Sequence, residues 1–114
     1  VVIGAGNTAV DIVLWLLSGG LPPDRLHWVV PRDCWYMCRE ALMPKNMPTS
    51  VKNFVKAAFT SLSLPRMCKT LEERSYWCRI DEDVQPEAFR CASIMDAELH
   101  QLRKVKHIIR KGYV

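Results

Sequence analysis

The glycine-rich turn at the start of the chain constrains the fold more than any other feature. The sequence begins VVIGAGNTAV, so an apolar β-branched run from Val1 to Ile3 leads directly into glycine and then into a helical pattern. Short apolar runs without alternation are typical of buried parallel strands. Gly4, Gly6 and Ala9 follow at the spacing G-x-G-x-x-A. In a strand–turn–helix context this spacing is typical of a dinucleotide-binding β-α-β unit.

Each small residue in this turn has a physical reason. Gly4 allows a sharp exit from the strand, Gly6 leaves room for a pyrophosphate to approach the backbone, and Ala9 lets the helix lie close to the strand. The backbone amides from Ala5 onwards are then expected to point towards the phosphates from the positive end of the helix. The alternative is a tight strand-to-helix turn without a ligand.

The helix that follows is predicted over residues 7–18, with Asn7 or Thr8 as its capping residue. It is apolar nearly all round, which indicates burial on more than one face. One face is expected to pack on the sheet, and the other is expected to need a neighbour that this chain does not supply. Gly19 and Gly20 end the helix, and a second strand is predicted over residues 26–30.

The residues after the second strand bear on which nucleotide is bound. An acidic side chain there would accept hydrogen bonds from the ribose hydroxyls of NAD or FAD, whereas an arginine pairs with the 2′-phosphate of NADP. Arg32 comes first and Asp33 follows, so NADP is favoured over NAD. The alternatives are that Arg32 is an ordinary solvated loop residue and that Asp33 caps the next turn.

The run from Gly4 to Asp11, GAGNTAVD, resembles the pyridine-nucleotide turn of flavin-containing monooxygenases and their relatives. The later stretch PRDCWYMCRE is similar to a branch of that superfamily described only as FAD/NAD(P)-binding oxidoreductases. The resemblance implies that this segment docks NADPH against an FAD bound by another part of the same protein. It implies phosphate-turn roles for Gly4, Gly6 and Ala9 and a 2′-phosphate role for Arg32.

The remainder of the chain predicts an insertion. The β-α-β unit is assigned to residues 1–33, loops and helices of the same domain to 34–111, and the start of another strand to 112–114. Helices are expected over 49–61, from Thr70 onwards and over 97–106, while Leu64-Pro65 is expected to break the first of these. Trp35 and Tyr36 are expected to pack in the interior rather than to stack on adenine. The predicted class is α/β, a partial Rossmann-type unit with a mainly helical insertion.

Composition narrows the function classes. Five scattered cysteines favour free thiols in a reducing compartment such as the cytoplasm, and no apolar run approaches a membrane span. The net charge of +4 and the basic cluster over residues 103–111 are weak grounds for a nucleic-acid partner, which is not expected. The acidic residues 81–83 are expected to be a solvated turn rather than a metal site.

Two functions remain open on the sequence. The first is the NAD(P)H-binding portion of a flavin-dependent, monooxygenase-like oxidoreductase, in which the small-molecule substrate is unknown and no catalytic residue is assigned. The second is a non-catalytic, degenerate Rossmann module that binds a nucleotide or a protein partner. The few predicted strands and the surplus apolar surface of the first helix predict a segment of a larger protein, marginally stable alone, whose FAD-binding part lies elsewhere.

Overall fold

The computed structural model describes residues 1–112 and shows a mixed α/β fold with two small sheets and four helices. The predicted α/β class is therefore confirmed. The strands are β1 (Val2–Ile3), β2 (His27–Val29), β3 (Cys34–Cys38), β4 (Trp77–Cys78), β5 (Ala88–Ile94) and β6 (His107–Ile109). The helices are α1 (Asn7–Ser18), α2 (Met47–Thr60), α3 (Leu64–Glu73) and α4 (Asp96–Leu102), with short 3-10 turns at Pro23–Arg25 and Arg39–Leu42.

The first sheet is parallel, with the strand order β1-β2-β6. Val2 lies opposite Trp28 in the first pair, and Trp28 lies opposite Ile108 in the second. Helix α1 connects β1 to β2 over the predicted residues, and it packs against α4, which precedes β6. The predicted strand–helix–strand order at the start of the chain is thus present.

The first strand is predicted to be buried, and this holds for Val2, which is 6% exposed, but is wrong for Ile3, which is 57% exposed. Strand β1 pairs on one side only within residues 1–112. The structure places a third strand of this sheet at His107–Ile109, where the sequence predicts the end of a helix. The further strand predicted to start over 112–114 falls on residues 113–114, which lie outside the described part of the chain, and Gly112 itself is in no strand.

The predicted insertion over residues 34–111 contains a second sheet rather than only loops and helices. Its order is β4-β3-β5, with β3 antiparallel to β4 and parallel to β5. The stretch CWYMC forms its central strand, and its alternate side chains point to opposite faces of the sheet. Cys34 and Tyr36 join the core next to the first sheet, whereas Trp35 joins a separate cluster with Trp77. The expected interior packing of Trp35 and Tyr36 is confirmed.

The helices of this region agree in part with expectation. Helix α2 covers the predicted segment, but Leu64-Pro65 begins α3 instead of ending α2. Proline is tolerated there because the amides of the first helical turn have no intrahelical partner. The Ser63 side chain accepts a hydrogen bond from the Arg66 amide at 3.4 Å, so Ser63 rather than Thr70 caps α3. Helix α4 is shorter than the predicted 97–106.

One core joins α1, α4, the first sheet and the inner face of the second sheet. Val13, Trp28 and Leu102 are completely buried in it. The outer face of α1 is left uncovered by the residues that the structure describes, since Trp15 is 73% exposed there. This agrees with the predicted surplus of apolar surface. No helix within residues 1–112 is long and apolar enough to span a membrane.

Candidate functional site

Gly4 makes the turn out of β1 in a conformation that requires glycine. Its φ is +126°, which L side chains rarely adopt, and its amide still donates to the Val29 carbonyl at 2.9 Å. A Cβ at this position would lie 3.4 Å from the Ala9 Cβ. Gly4 and Ala9 are therefore both small because the helix starts close to the strand.

Two aromatic side chains hold the next carbonyl groups of the turn. The Trp28 indole Nε1 donates to the Gly4 oxygen at 2.8 Å, and the buried Tyr36 hydroxyl donates to the Ala5 oxygen at 2.8 Å. In a trans peptide the carbonyl and the following N–H point in opposite directions. These two bonds therefore fix the N–H groups of Ala5 and Gly6 to point away from the aromatic side chains.

The amides from Ala5 to Ala9 donate no hydrogen bond to any residue within the described part of the chain. The first helical donor is Val10, whose amide bonds the Gly6 oxygen at 3.1 Å. A Cβ built at Gly6 would meet no atom within 4 Å. The turn thus combines unpaired donors, the positive end of α1 and open space at one backbone position, which is what an anionic group requires.

The expected capping role of Asn7 or Thr8 is wrong. Gly6 is the N-cap of α1 and no side chain caps the helix, while Asn7 and Thr8 lie in its first turn. The Asn7 Oδ1 instead accepts a hydrogen bond from the Ser93 amide at 3.1 Å. Asn7 and Tyr36 therefore hold the second sheet beside the turn.

Arg32 and Asp33 have different environments at the end of β2. Arg32 is exposed and forms no ion pair with a described residue. Asp33 accepts from the Arg110 Nε at 2.8 Å with its side chain 16% exposed, and the Arg110 Nη2 lies 3.0 Å from Asp81 Oδ2. The carboxylate that could accept bonds from ribose hydroxyls is already paired, whereas the Arg32 guanidinium is free.

Other concave regions lie away from the turn. One has a volume of about 660 Å³ beside β4, and Cys38, Cys78, Glu72 and Arg79 are among the residues that line it. Arg79 already forms two bonds of 2.7 and 2.8 Å to Glu72 there. Another is an apolar groove of about 210 Å³ between α2 and the second sheet. Neither contains a residue that the sequence indicated as a site.

The charged segments give no further site. No group of three metal-ligating side chains lies close enough to hold an ion within residues 1–112. In the basic cluster of residues 103–111, Arg103 pairs with Glu82 at 2.9 Å and Lys106 with Asp24 at 3.3 Å. Much of its positive charge is therefore compensated within the chain.

The five cysteines are free thiols, four of them buried or half-buried. Burial raises the pKa of Cys34 and Cys68. A hydrogen bond from Cys78 lowers the pKa of Cys38. The surroundings of the thiols therefore give them different reactivities.

Sequence reasoning located the turn but missed the side chains that shape it. The sequence predicts a strand at Trp28 and a loop at Tyr36, and it assigns neither side chain a role in the turn. The short apolar run CWYMC between the charged residues Asp33 and Arg39 could have indicated a buried strand, but nothing in the sequence says which carbonyl group a tyrosine hydroxyl will reach.

Comparison with known proteins gives relatives of unknown activity. The chain is 39% identical over 121 aligned positions to uncharacterised proteins from Mycobacterium bovis and from two strains of Mycobacterium tuberculosis. The alignment covers 100% of this chain and 22% of each relative, so the chain spans about a fifth of their length. No protein-family model and no solved structure matches it.

Proposed function

We propose that this chain is the NAD(P)H-binding portion of a flavin-dependent oxidoreductase, with the pyrophosphate of the nucleotide bound at the turn from Gly4 to Ala9. The observation that carries the proposal is the set of five consecutive amides, Ala5 to Ala9, without a partner among the described residues. They follow a parallel strand and open a helix, which is the arrangement in which backbone N–H groups bind dinucleotide phosphates.

The strand order supports this proposal. In doubly wound nucleotide-binding sheets the first three strands lie in the spatial order 3-2-1, and ligands bind beyond the carboxyl ends of the strands. Taken in chain order within the first sheet, β6, β2 and β1 have this same order. The glycine turn and Arg32 both lie at the carboxyl ends of their strands.

The charges favour NADP over NAD. Arg32 is free and exposed, and arginine binds phosphate with two parallel N–H bonds. Asp33, the acidic alternative, is neutralised by Arg110. A 2′-phosphate next to Arg32 would thus meet a cation without a free carboxylate beside it.

The flavin part of the proposal rests on the resemblance in sequence. FAD would be bound outside this segment and would accept the hydride of the nicotinamide. The residues of this chain would bind and orient the nucleotide: the amides of the turn its pyrophosphate, and Arg32 its adenosine end. The substrate of the oxidoreductase stays undefined.

Titration calorimetry of the chain with NADPH, NADH and FAD tests the proposal. We expect NADPH to bind more tightly than NADH, and Arg32→Ala to remove most of this preference. Arg74→Ala is the matched control, because Arg74 is an exposed arginine at the end of α3. Equal affinity of the Arg32→Ala and Arg74→Ala variants for NADPH would contradict the role of Arg32.

Gly6→Val provides a second test. Gly6 has a φ of −89°, and a Cβ there meets no protein atom, so the fold tolerates a side chain at the cost of an N-cap preference, about 1 kcal/mol or less. A bound pyrophosphate would collide with it. We expect a folded variant that no longer binds NADPH.

Failure of the unaltered chain to bind any nucleotide would favour the second candidate, a non-catalytic module that contacts a protein. One observation supports that candidate. Large apolar side chains are exposed around the junction of α2 and α3, where Phe59 is 87% and Leu62 88% exposed.

A further inference from the structure

The segment over residues 41–71, which contains α2 and most of α3, carries positive charge only. Five of the 16 lysine and arginine residues of the chain lie in it, whereas all 12 aspartate and glutamate residues lie outside it. The five basic side chains are exposed, and none forms an ion pair with a described residue: Lys45, Lys52, Lys56, Arg66 and Lys69. The charge of this segment is therefore not compensated by ion pairs within residues 1–112.

The same segment exposes large apolar side chains. Val51, Val55 and Phe59 follow one another at four-residue intervals in α2, so they form a stripe along one face of the helix, and all three are exposed. Beyond the helix end, Leu62 and Leu64 are exposed as well. These five apolar side chains and the five basic ones together form the α2–α3 surface. Exposed apolar patches of this kind mark contacts with a protein or a membrane.

Two of the lysines lie beside the apolar stripe. Lys52 and Lys56 each follow a residue of the stripe by one position, which is a rotation of about 100° around the helix. The opposite side of α2 packs inwards through the buried Ser50 and Ala57. An outward apolar stripe with lysines next to it is typical of helices that lie in the interface of a bilayer.

We propose that the α2–α3 surface binds the surface of an anionic lipid bilayer. The basic side chains contact the phosphate groups of the lipids, and Phe59 and Leu62 enter the boundary between headgroups and acyl chains. The contact is peripheral, since α2 lies along the bilayer and does not cross it. This proposal is independent of the nucleotide site.

The charge of the surface favours lipid over a protein partner. Lysine is depleted at protein–protein interfaces, whereas each basic residue near an anionic leaflet strengthens binding about fivefold. The apolar side chains add a contribution that salt does not screen, because burial of apolar surface is not an electrostatic effect. Binding should therefore need anionic lipid and still resist salt in part.

Sedimentation with lipid vesicles tests the proposal. The vesicles consist of phosphatidylglycerol and phosphatidylcholine in equal parts, or of phosphatidylcholine alone, and we expect the chain to sediment with the anionic ones only. Lys52→Gln combined with Lys56→Gln should weaken this binding about 25-fold at low salt. Phe59→Ser combined with Leu62→Ser should weaken it about tenfold or more, because both apolar anchors are lost.

Matched controls change similar side chains elsewhere. Lys104→Gln combined with Lys111→Gln removes two exposed charges outside the segment, and Trp15→Ser removes an exposed apolar side chain from α1. Both controls should bind the anionic vesicles as the unaltered chain does. All the exchanged side chains are exposed, so we expect the variants to fold, and guanidinium unfolding checks this. The single variants Phe59→Ser and Lys52→Gln take the place of any double variant that is unfolded.

Three results would overturn the proposal. The first is an unaltered chain that binds neither kind of vesicle or binds both equally. The second is an equal loss for the lysine control and for Lys52→Gln with Lys56→Gln, since binding would then reflect the net charge alone. The third comes from sedimentation velocity without lipid: a dimer that Phe59→Ser with Leu62→Ser disperses would assign the α2–α3 surface to a second copy of the chain.

Discussion

Replacing Tyr36 by phenylalanine tests whether the turn is held in shape from the second sheet. The hydroxyl is the only donor to the Ala5 oxygen among residues 1–112, and the Tyr36 side chain is 1% exposed. Phenylalanine fills nearly the same volume, so the change leaves a buried carbonyl without a partner but creates little cavity. An unsatisfied buried group of this kind costs about 1–3 kcal/mol of the free energy of unfolding.

The same substitution should weaken nucleotide binding. Without the hydroxyl the peptide between Ala5 and Gly6 can rotate, and the Gly6 N–H is no longer fixed in its outward direction. The net value of one hydrogen bond is about 0.5–1.5 kcal/mol, which corresponds to a loss of roughly two- to twelvefold in affinity for NADPH. Guanidinium unfolding and titration calorimetry measure the two effects on one sample.

Tyr76→Phe is the matched control. The Tyr76 hydroxyl accepts a hydrogen bond of 2.6 Å from Asn53 Nδ2, in a region away from the turn. We expect this variant to lose stability without losing affinity. The reasoning is refuted if Tyr36→Phe unfolds at the same denaturant concentration as the unaltered chain, or if both variants bind NADPH equally well.

Three further predictions concern the backbone, the thiols and the ion pairs. Gly4→Ala should lower the free energy of unfolding by about 1–3 kcal/mol, because alanine at a φ of +126° is strained. An unfolding temperature equal to that of the unaltered chain would contradict this. In timed alkylation followed by mass spectrometry at neutral pH, Cys91 should react first because it is exposed, and Cys38 next because its lowered pKa gives more thiolate; earlier reaction of a buried thiol would refute the assignment. The slow thiols, whose pKa burial raises, are Cys34 and Cys68. Arg110→Met should destabilise the chain by about 1–3 kcal/mol and shift binding towards NADH, since Asp33 is left free; calorimetry with both nucleotides would show an unchanged preference if this is wrong.

The start of the chain could be predicted because local rules dominate there. Three apolar residues, two glycines and a helical period all indicate the same strand–turn–helix unit, and α1 has the predicted bounds 7–18. The capping prediction is wrong because Gly6 occupies the N-cap position and the Asn7 side chain accepts a hydrogen bond from Ser93, 86 residues later in the chain. Such a distant partner has no local signal.

The second sheet could not be predicted for the same reason. Strands β3 and β5 pair across about 50 residues, and β5 carries a bulge that interrupts its alternation. Short edge strands such as Trp77–Cys78 depend on their neighbours more than on their own propensity. Tyr36, whose hydroxyl holds the Ala5 carbonyl of the turn, comes from this sheet, and its role was therefore found only in the structure.

The open side of β1 has a consequence for the proposed nucleotide site. Its outward-facing peptide groups are a template on which a further strand can add, and in isolation they favour pairing between copies of the chain. A parallel strand added there would bring its own carboxyl end next to Gly4 and supply the opposite wall of the cleft. The width of that cleft, and how firmly it encloses the nicotinamide half of a dinucleotide, would then depend on the strand that joins β1.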